Sequence, residues 1–143
     1  MEIAKMKKPI TLAKLDEKLW KIFSEFIRLR DANENGYGQC VTCGKWLHWT
    51  RADAGHYWPK GAFRFLKFEE KNVGFQCGGC NRFKEGNQVL FREYLIRKYG
   101  EKIVSELDES RHYPGGFTRE GYIMRIKEYT VKVKSLKRQK GVM

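Results

Sequence analysis

Two Cys-x-x-Cys pairs, Cys40-Val41-Thr42-Cys43 and Cys77-Gly78-Gly79-Cys80, lie 33 residues apart and use every cysteine in the chain. Four thiols at this spacing suit a closed tetrahedral zinc site. A closed four-thiolate site makes the zinc structural, because a catalytic zinc keeps one position open. The separation is longer than in a simple zinc ribbon, so the staple holds an insert at both ends. That insert contains Asp53-Ala54-Gly55-His56-Tyr57 and Asn72, and Asn81 follows the last cysteine directly.

A chain of 143 residues that is 41% hydrophobic can bury one compact core with helical extensions. It has no run of 18 apolar residues, which excludes a membrane span. The start, Met1 to Pro9, lacks the apolar stretch of a secretion signal, so a cytoplasmic protein is expected. A reducing cytosol favours metal-bound thiolates over disulfides. The net charge of +12 calls for a polyanionic partner. The cations are spread along the chain and interleaved with aromatics, which favours nucleic acid over a membrane surface.

Apolar residues at three- and four-residue steps (Leu12, Leu15, Leu19, Ile22, Phe23, Phe26, Ile27) predict a helix over 11–32. Thr11 is its N-cap, Ile10 a staple onto Leu15, and Asn33 to Gly36 its end. Short strands are expected over 37–57, with Gly44 turning the first knuckle, then an irregular basic loop over 58–71 and a strand over 73–76. A helix should start at Cys80 or Asn81 and run to Tyr99, with Gly86 as a break or as its true start and Gly100 as its stop. Glu101 to Asp108 is a short helix, and Tyr113-Pro114-Gly115-Gly116 a linker. Thr118 caps a last helix whose seam, Tyr122, Ile126, Tyr129, Val133 and Leu136, can pack on the body or on a second subunit. The organisation is therefore an α+β fold: an N-terminal helical arm (1–36), a zinc-stapled domain (37–100), and a C-terminal helical extension with a basic tail (101–143).

Phosphodiester hydrolysis needs a base to activate water, a cation to stabilise charge, and a hold on the base. His56 supplies an imidazole with a pKa near ~6.5, which is neutral at cellular pH. A rate that rises with pH through that region is expected. His48, between Trp46 and Trp49, and His112, in the linker, have weaker contexts. Asp53 and Asn81 offer the oxygen ligands that Mg²⁺ or Mn²⁺ prefers. Asn72 can hydrogen-bond the backbone of the strand turn and fix His56. A structural zinc module without catalysis uses the same cysteines, so both readings stay open.

Cys40-x-x-Cys43, Gly55-His56, Asn72, Cys77-x-x-Cys80-Asn81 and Lys84 resemble the HNH nuclease pattern, a ββα finger around one catalytic metal. The resemblance is closer to the phage NinG family of recombination endonucleases, also called Rap. It rests on Asp53-Ala54-Gly55-His56-Tyr57, Gly61-Ala62, Leu66-Lys67-Phe68, Gln76-Cys77, Cys80-Asn81 and Gly86-Asn87, in register from about residue 40 to 100. The resemblance leaves the flanking helices unassigned. It implies nicking of branched DNA such as Holliday junctions and D-loops. His56 matches the general base, Asn72 the central Asn, and Asn81 the metal-binding Asn of endonuclease VII-type resolvases. Many HNH sites place an acid directly before the His. Here that residue is Gly55, and Asp53 lies two earlier, on the same side of an extended strand. Position 74 is also Gly, where a His occurs in some relatives.

Arg51, Lys60, Arg64, Lys67, Arg82 and Lys84 are the expected DNA contacts, Lys84 above all. Trp58 and Phe63 among them either stack on exposed bases or pack. The expected function is a metal-dependent endonuclease on branched DNA. The alternatives are an HNH nicking or restriction-type enzyme without junction preference, and a non-catalytic zinc-finger DNA-binding protein. Symmetric resolution needs two active sites, so a homodimer is expected.

Overall fold

The computed structural model describes residues 8–142. The first part of the expected N-terminal arm, 1–7, and Met143 lie outside the described residues. Four helices and two small antiparallel sheets make the chain α+β. None of the described helices is long and apolar enough to cross a membrane.

Helix α1 spans Leu12–Arg30, and the Thr11 hydroxyl caps it by accepting from the Lys14 amide at 3.2 Å. Its apolar stripe, Leu15, Leu19, Phe23, Phe26, Ile27 and Leu29, is buried as the periodicity requires. Ile10 does not close over this stripe as the expected staple; it stays 44% exposed. At the other end, Arg30 pairs with Asp31 and donates to the carbonyls of Glu70 and Val73 at 3.0 and 2.8 Å. Asp31 accepts from the Phe75 amide at 3.1 Å. The C-terminus of α1 is thereby tied to the strand that follows the insert.

Strands β1 (Tyr37–Gln39) and β2 (Trp46–His48) form a hairpin around the first knuckle. Strands β3 (Asp53–His56) and β4 (Val73–Gln76) pair antiparallel, with Asp53 opposite Gln76 and His56 opposite Val73. The insert between them is irregular, with short 3-10 turns at Arg64–Leu66 and Glu70–Asn72.

After β4 the expected continuous helix does not form at Cys80. A single π-turn, Gly79–Phe83, comes first, and α2 begins only at Gln88 and ends at Tyr99. The cause is backbone handedness: Glu85, Gly86 and Asn87 all have positive φ, at 50°, 80° and 51°. Left-handed residues cannot continue a right-handed helix.

Helices α3 (Glu101–Ser110) and α4 (Arg119–Gln139) complete the chain, and the Thr118 hydroxyl caps α4 by accepting from the Gly121 amide. Helix α4 lies along α1. The Tyr129 ring meets Phe23 and Phe26 edge-on at 5.1 Å each, the Tyr122 hydroxyl donates to Asp16, and Lys137 pairs with Glu25. The seam of α4 is therefore occupied within the chain rather than left for a second subunit. Ala54 and Val73 of the β3–β4 hairpin join this core, while α2 and α3 build a second one with Tyr57 and Leu66.

One glycine is a packing requirement. A Cβ on Gly38 would stand 2.6 Å from the ring of Phe75, which is fully buried and cannot yield. Gly38→Ala should lower zinc-saturated unfolding stability by about 1–3 kcal/mol. Gly61→Ala, with open space around it, should stay within about 0.5 kcal/mol in the same denaturant titration.

Candidate metal centre and adjoining cleft

The four cysteine sulfurs converge within 4.8 Å of one another. Thiolates on a tetrahedral zinc lie about 3.8 Å apart, given a bond length of about 2.3 Å. The Cys43 and Cys77 sulfurs are 3.7 Å apart, which fits that geometry and is far too long for a disulfide. The surroundings favour thiolate at Cys40 and Cys80, while at Cys43 a backbone hydrogen bond from Lys45 is outweighed by burial and the three neighbouring sulfurs, which push the thiol up to about 12. Burial works against a charged Cys40, but the Thr42 hydroxyl and the backbone amides of Cys43, Cys77 and Thr42 outweigh it and bring the thiol down to about 6. The Asn87 amide donates to the Cys80 sulfur at 3.5 Å. These four cysteines can hold a zinc ion.

The cluster fixes the turn that carries Asn81. Next to it, β3 delivers His56, which is 9% exposed. One imidazole nitrogen, Nε2, lies 2.9 Å from the Lys67 carbonyl oxygen. A carbonyl only accepts, so Nε2 carries the proton and Nδ1 keeps the basic lone pair. Burial, with the nearby charges of Lys60 and Lys67, pushes the pKa down to about 4 despite that hydrogen bond. The sequence value near ~6.5 is thus displaced well into the acid range.

Asn72 does not touch the ring; it sets the backbone on both sides of it. It is fully buried. Its Oδ1 accepts from the Trp58 amide at 2.9 Å, and its Nδ2 donates to the carbonyls of Trp58 and Leu66 at 3.0 Å each. That clamp holds the segment after His56 against the segment ending in Lys67, whose carbonyl orients the imidazole.

Asp53 and Asn81 meet as their residue types allow: the Asn81 amide donates to Asp53 Oδ2 at 3.0 Å. The carboxylate is not free, because Arg82 grips both oxygens at 3.0 and 2.9 Å. Burial opposes the charged Asp53, but hydrogen bonds from Arg82 and Asn81 and the charges of Arg82 and Arg28 hold its pKa below the usual carboxylate range. His56, Lys60, Asn81 and Glu85 line one cleft, and Asp53, Lys60, Asn81 and Arg82 line an adjoining one.

The absence of an acid at position 55 has a steric reason. A Cβ on Gly55 would overlap the side-chain oxygen of Gln76, which is itself fully buried. Gln76 Nε2 donates to the Gly86 carbonyl at 2.8 Å and to Thr42 at 3.1 Å, so it cannot swing away without cost.

The six expected DNA contacts divide. Lys60 and Arg82 border the cleft, and Arg51 and Lys84 are exposed beside residues that line it. Lys67 is mostly buried in an ion pair with Asp16, and Arg64 reaches the same carboxylate at 3.7 Å. Trp58 and Phe63 pack on each other at 5.1 Å, and the Trp58 indole donates to Asp108. Packing is therefore the role the structure gives these two rings. Sequence reasoning missed two wall residues. Trp20, on α1, lies 5.0 Å from His56 and has Lys60 over its ring at 4.0 Å. Glu85 enters the cleft through its left-handed backbone. Periodicity alone gave no sign of either.

Two outcomes follow from this geometry. Purified protein should carry one zinc per chain by elemental analysis, and Cys40→Ser or Cys80→Ser should lose both zinc and cooperative folding, because structural zinc binding is folding energy. His56 binds its proton near pH 4 when folded and near 6.5 when unfolded. The unfolded chain thus holds more protons between those values, and this stability contribution is full above 6.5 and lost as pH falls towards 4. His56→Gln should flatten the slope of stability against pH in that window, by on the order of 3 kcal/mol across it.

The family profile described as "Bacteriophage Lambda NinG protein" matches residues 3–139. Protein ninG of Escherichia phage lambda is 37% identical over 116 residues, which cover 81% of this chain and 54% of that protein. Protein ninG of Salmonella phage P22 is 38% identical over 112 residues, 78% of this chain and 52% of that protein. The chain spans about half the length of the curated relatives it matches. No solved structure matches it significantly. The matched span takes in both cysteine knuckles and the cleft beside them, and the chain belongs to the NinG family.

Proposed function

We propose that this protein is an HNH-type endonuclease that hydrolyses phosphodiester bonds in branched DNA. The observation that carries the reading is the convergence of His56, Asn81 and Asp53 beside one zinc-anchored turn, in a chain of net charge +12. The order β3, β4, π-turn, α2 also supports a ββα finger, with its helix displaced towards the C-terminus.

His56 Nδ1 takes a proton from water, and the resulting hydroxide oxygen bonds to phosphorus as the bond to the 3′ oxygen breaks. The leaving oxygen gains a proton from solvent. Lys67, through its carbonyl, keeps the imidazole in the productive tautomer, and Asn72 steadies that segment by donating to the preceding Leu66 carbonyl. Asp53 and Asn81 would hold a Mg²⁺ or Mn²⁺ ion, whose chemistry is to stabilise charge on the phosphate and the leaving oxygen. Arg82 must then release or share the Asp53 carboxylate. Lys60, Arg51 and Lys84 position the phosphate backbone.

A second reading is a zinc-anchored DNA-binding protein without catalysis. The grip of Arg82 on both Asp53 oxygens favours it. A cleavage assay on a four-way junction and on a linear duplex of the same sequence, with and without Mg²⁺ or Mn²⁺, separates the two. Metal-dependent cutting that favours the junction supports the first. Cutting of both alike points to a nicking enzyme without branch preference. Salt-sensitive binding without cutting leaves the second.

His56→Ala should keep zinc and DNA affinity while cutting cleavage by about 10²–10⁴-fold. Asn81→Ala should also lose activity, and excess Mn²⁺ should restore part of it, which it should not do for His56→Ala. With the imidazole pKa at about 4, the base-limited rate should stay flat between pH 6 and 8 rather than rise through 6.5. A rise there that vanishes in His56→Ala would mean the folded pKa is not displaced.

A further inference from the structure

Phe83 is 83% exposed, the most exposed large apolar side chain among the described residues. A lone exposed apolar residue is ordinary, but the setting of this one is not. Phe83 ends the π-turn whose Cys80 belongs to the thiolate cluster. The Asn81 amide bonds the Cys77 carbonyl, the Gly86 amide the Cys80 carbonyl, and the Asn87 amide the Lys84 carbonyl, at 3.1, 3.1 and 2.7 Å. The turn is thus pinned on both sides of Phe83. A flat ring on a pinned turn loses little freedom on binding, so its exposure is suited to a contact.

The neighbours decide the kind of contact. Arg82 and Lys84 flank Phe83 in sequence and both are exposed, with Arg82 paired to Asp53. Asn81, two residues back, lines the cleft with His56. Asn81 and Phe83 share the turn Gly79–Phe83, so the ring is carried by the same rigid element as this cleft residue. Glu85, the nearby acid, is exposed and lines the cleft. An exposed aromatic ring beside an exposed lysine, on the turn that carries the cleft residue Asn81, matches the combination that stacks on exposed bases while cations track the backbone.

We infer that Phe83 stacks on a nucleobase whose face is left unstacked where duplex DNA branches, beside the strand held in the His56 cleft, and so sets the preference for branched over continuous DNA. In a continuous duplex every base is already stacked, and the ring has nothing to meet. Val89, at the start of α2, is also 74% exposed. A second copy of this chain is the competing occupant of such a surface. Exposed Lys84 and the net charge of +12 argue for DNA, since two copies would bring like charges together.

The inference rests on the DNA reading above but not on catalysis, so a binding measurement tests it. The zinc-loaded full chain, without added Mg²⁺, is titrated into a four-way junction with 2-aminopurine at the branch nucleotide. A continuous duplex carrying the same base serves as comparison. The parent protein should change the fluorescence of the junction probe and not of the duplex. Phe83→Ala should keep its zinc, lose that change, and bind the junction about tenfold more weakly with duplex affinity nearly unaltered. Phe83→Trp should retain the parent behaviour. An unchanged junction signal in Phe83→Ala overturns the inference, as does an equal loss of affinity for junction and duplex. A shift from dimer to monomer in sedimentation of Phe83→Ala also overturns it and assigns the ring to a copy–copy contact. If the parent stacks on the branch but never cuts with Mg²⁺ or Mn²⁺, the nuclease reading falls and the stacking role stands.

Discussion

Four sulfurs within 4.8 Å of one another are the constraint on which the site depends. They bring the β1–β2 hairpin against the turn after β4 and so set the place of Asn81 and Arg82. Without a metal, four thiols at this distance are a poor bargain: thiolates repel, and small buried thiols add little apolar area. A zinc ion turns the same arrangement into folding energy. The polar neighbours fit that role, since Thr42 and Asn87 both reach a cysteine sulfur. The second hold is Arg30 and Asp31 at the end of α1, which bond the backbone at Glu70, Val73 and Phe75. One staple fixes the far end of the β3–β4 hairpin and the other its near side, so His56 and Asn81 are set by separate anchors on a shared frame.

Helices outside the zinc module take part in the site. Trp20 of α1 stands against His56, and α1 is kept in position by α4 through Tyr122, Tyr129 and Val133. The dry wall this makes explains the low pKa of the imidazole, since burial is its leading cause. A base with so low a pKa is wholly neutral at pH 7 but weak. The proposed chemistry therefore leans on charge stabilisation at the phosphate more than on base strength. Packing of α4 on α1 also removes its seam as a source of dimer contacts. Any symmetric pairing has to use another face.

Much of this was legible in the sequence. The cysteine spacing gave the cluster, Thr11 and Thr118 gave the helix starts, and Gly100 gave a stop, because each rests on local chemistry. Of the two starts the sequence offered for α2, the one at Gly86 holds and the one at Cys80 or Asn81 fails, because Glu85 and Asn87 adopt left-handed backbone, which tertiary hydrogen bonds impose and composition does not encode. The partners of Arg82 and Lys67 were likewise hidden. A cation near a candidate site reads as a phosphate contact until a carboxylate from a distant part of the chain, Asp53 or Asp16, is seen beside it. Gly55 is a similar case. The missing acid looked like a lost ligand, whereas the structure fills that space with Gln76.

The left-handed run from Glu85 to Asn87 ties these observations together. Two non-glycine residues at positive φ cost on the order of 1–3 kcal/mol each and persist only where the surroundings over-determine them. Here Gln76 holds the Gly86 carbonyl, Cys80 accepts from the Gly86 amide through its carbonyl, and Asn87 reaches the Cys80 sulfur. The same Gln76 occupies the space over Gly55. A helix starting at Cys80 would relieve the strain, but it would break these bonds and withdraw Glu85 from the cleft. The strained loop thus keeps α2 back from the cleft and leaves Asn81 to Lys84 as a pinned turn, with Asn81 lining the cleft and the Phe83 ring exposed.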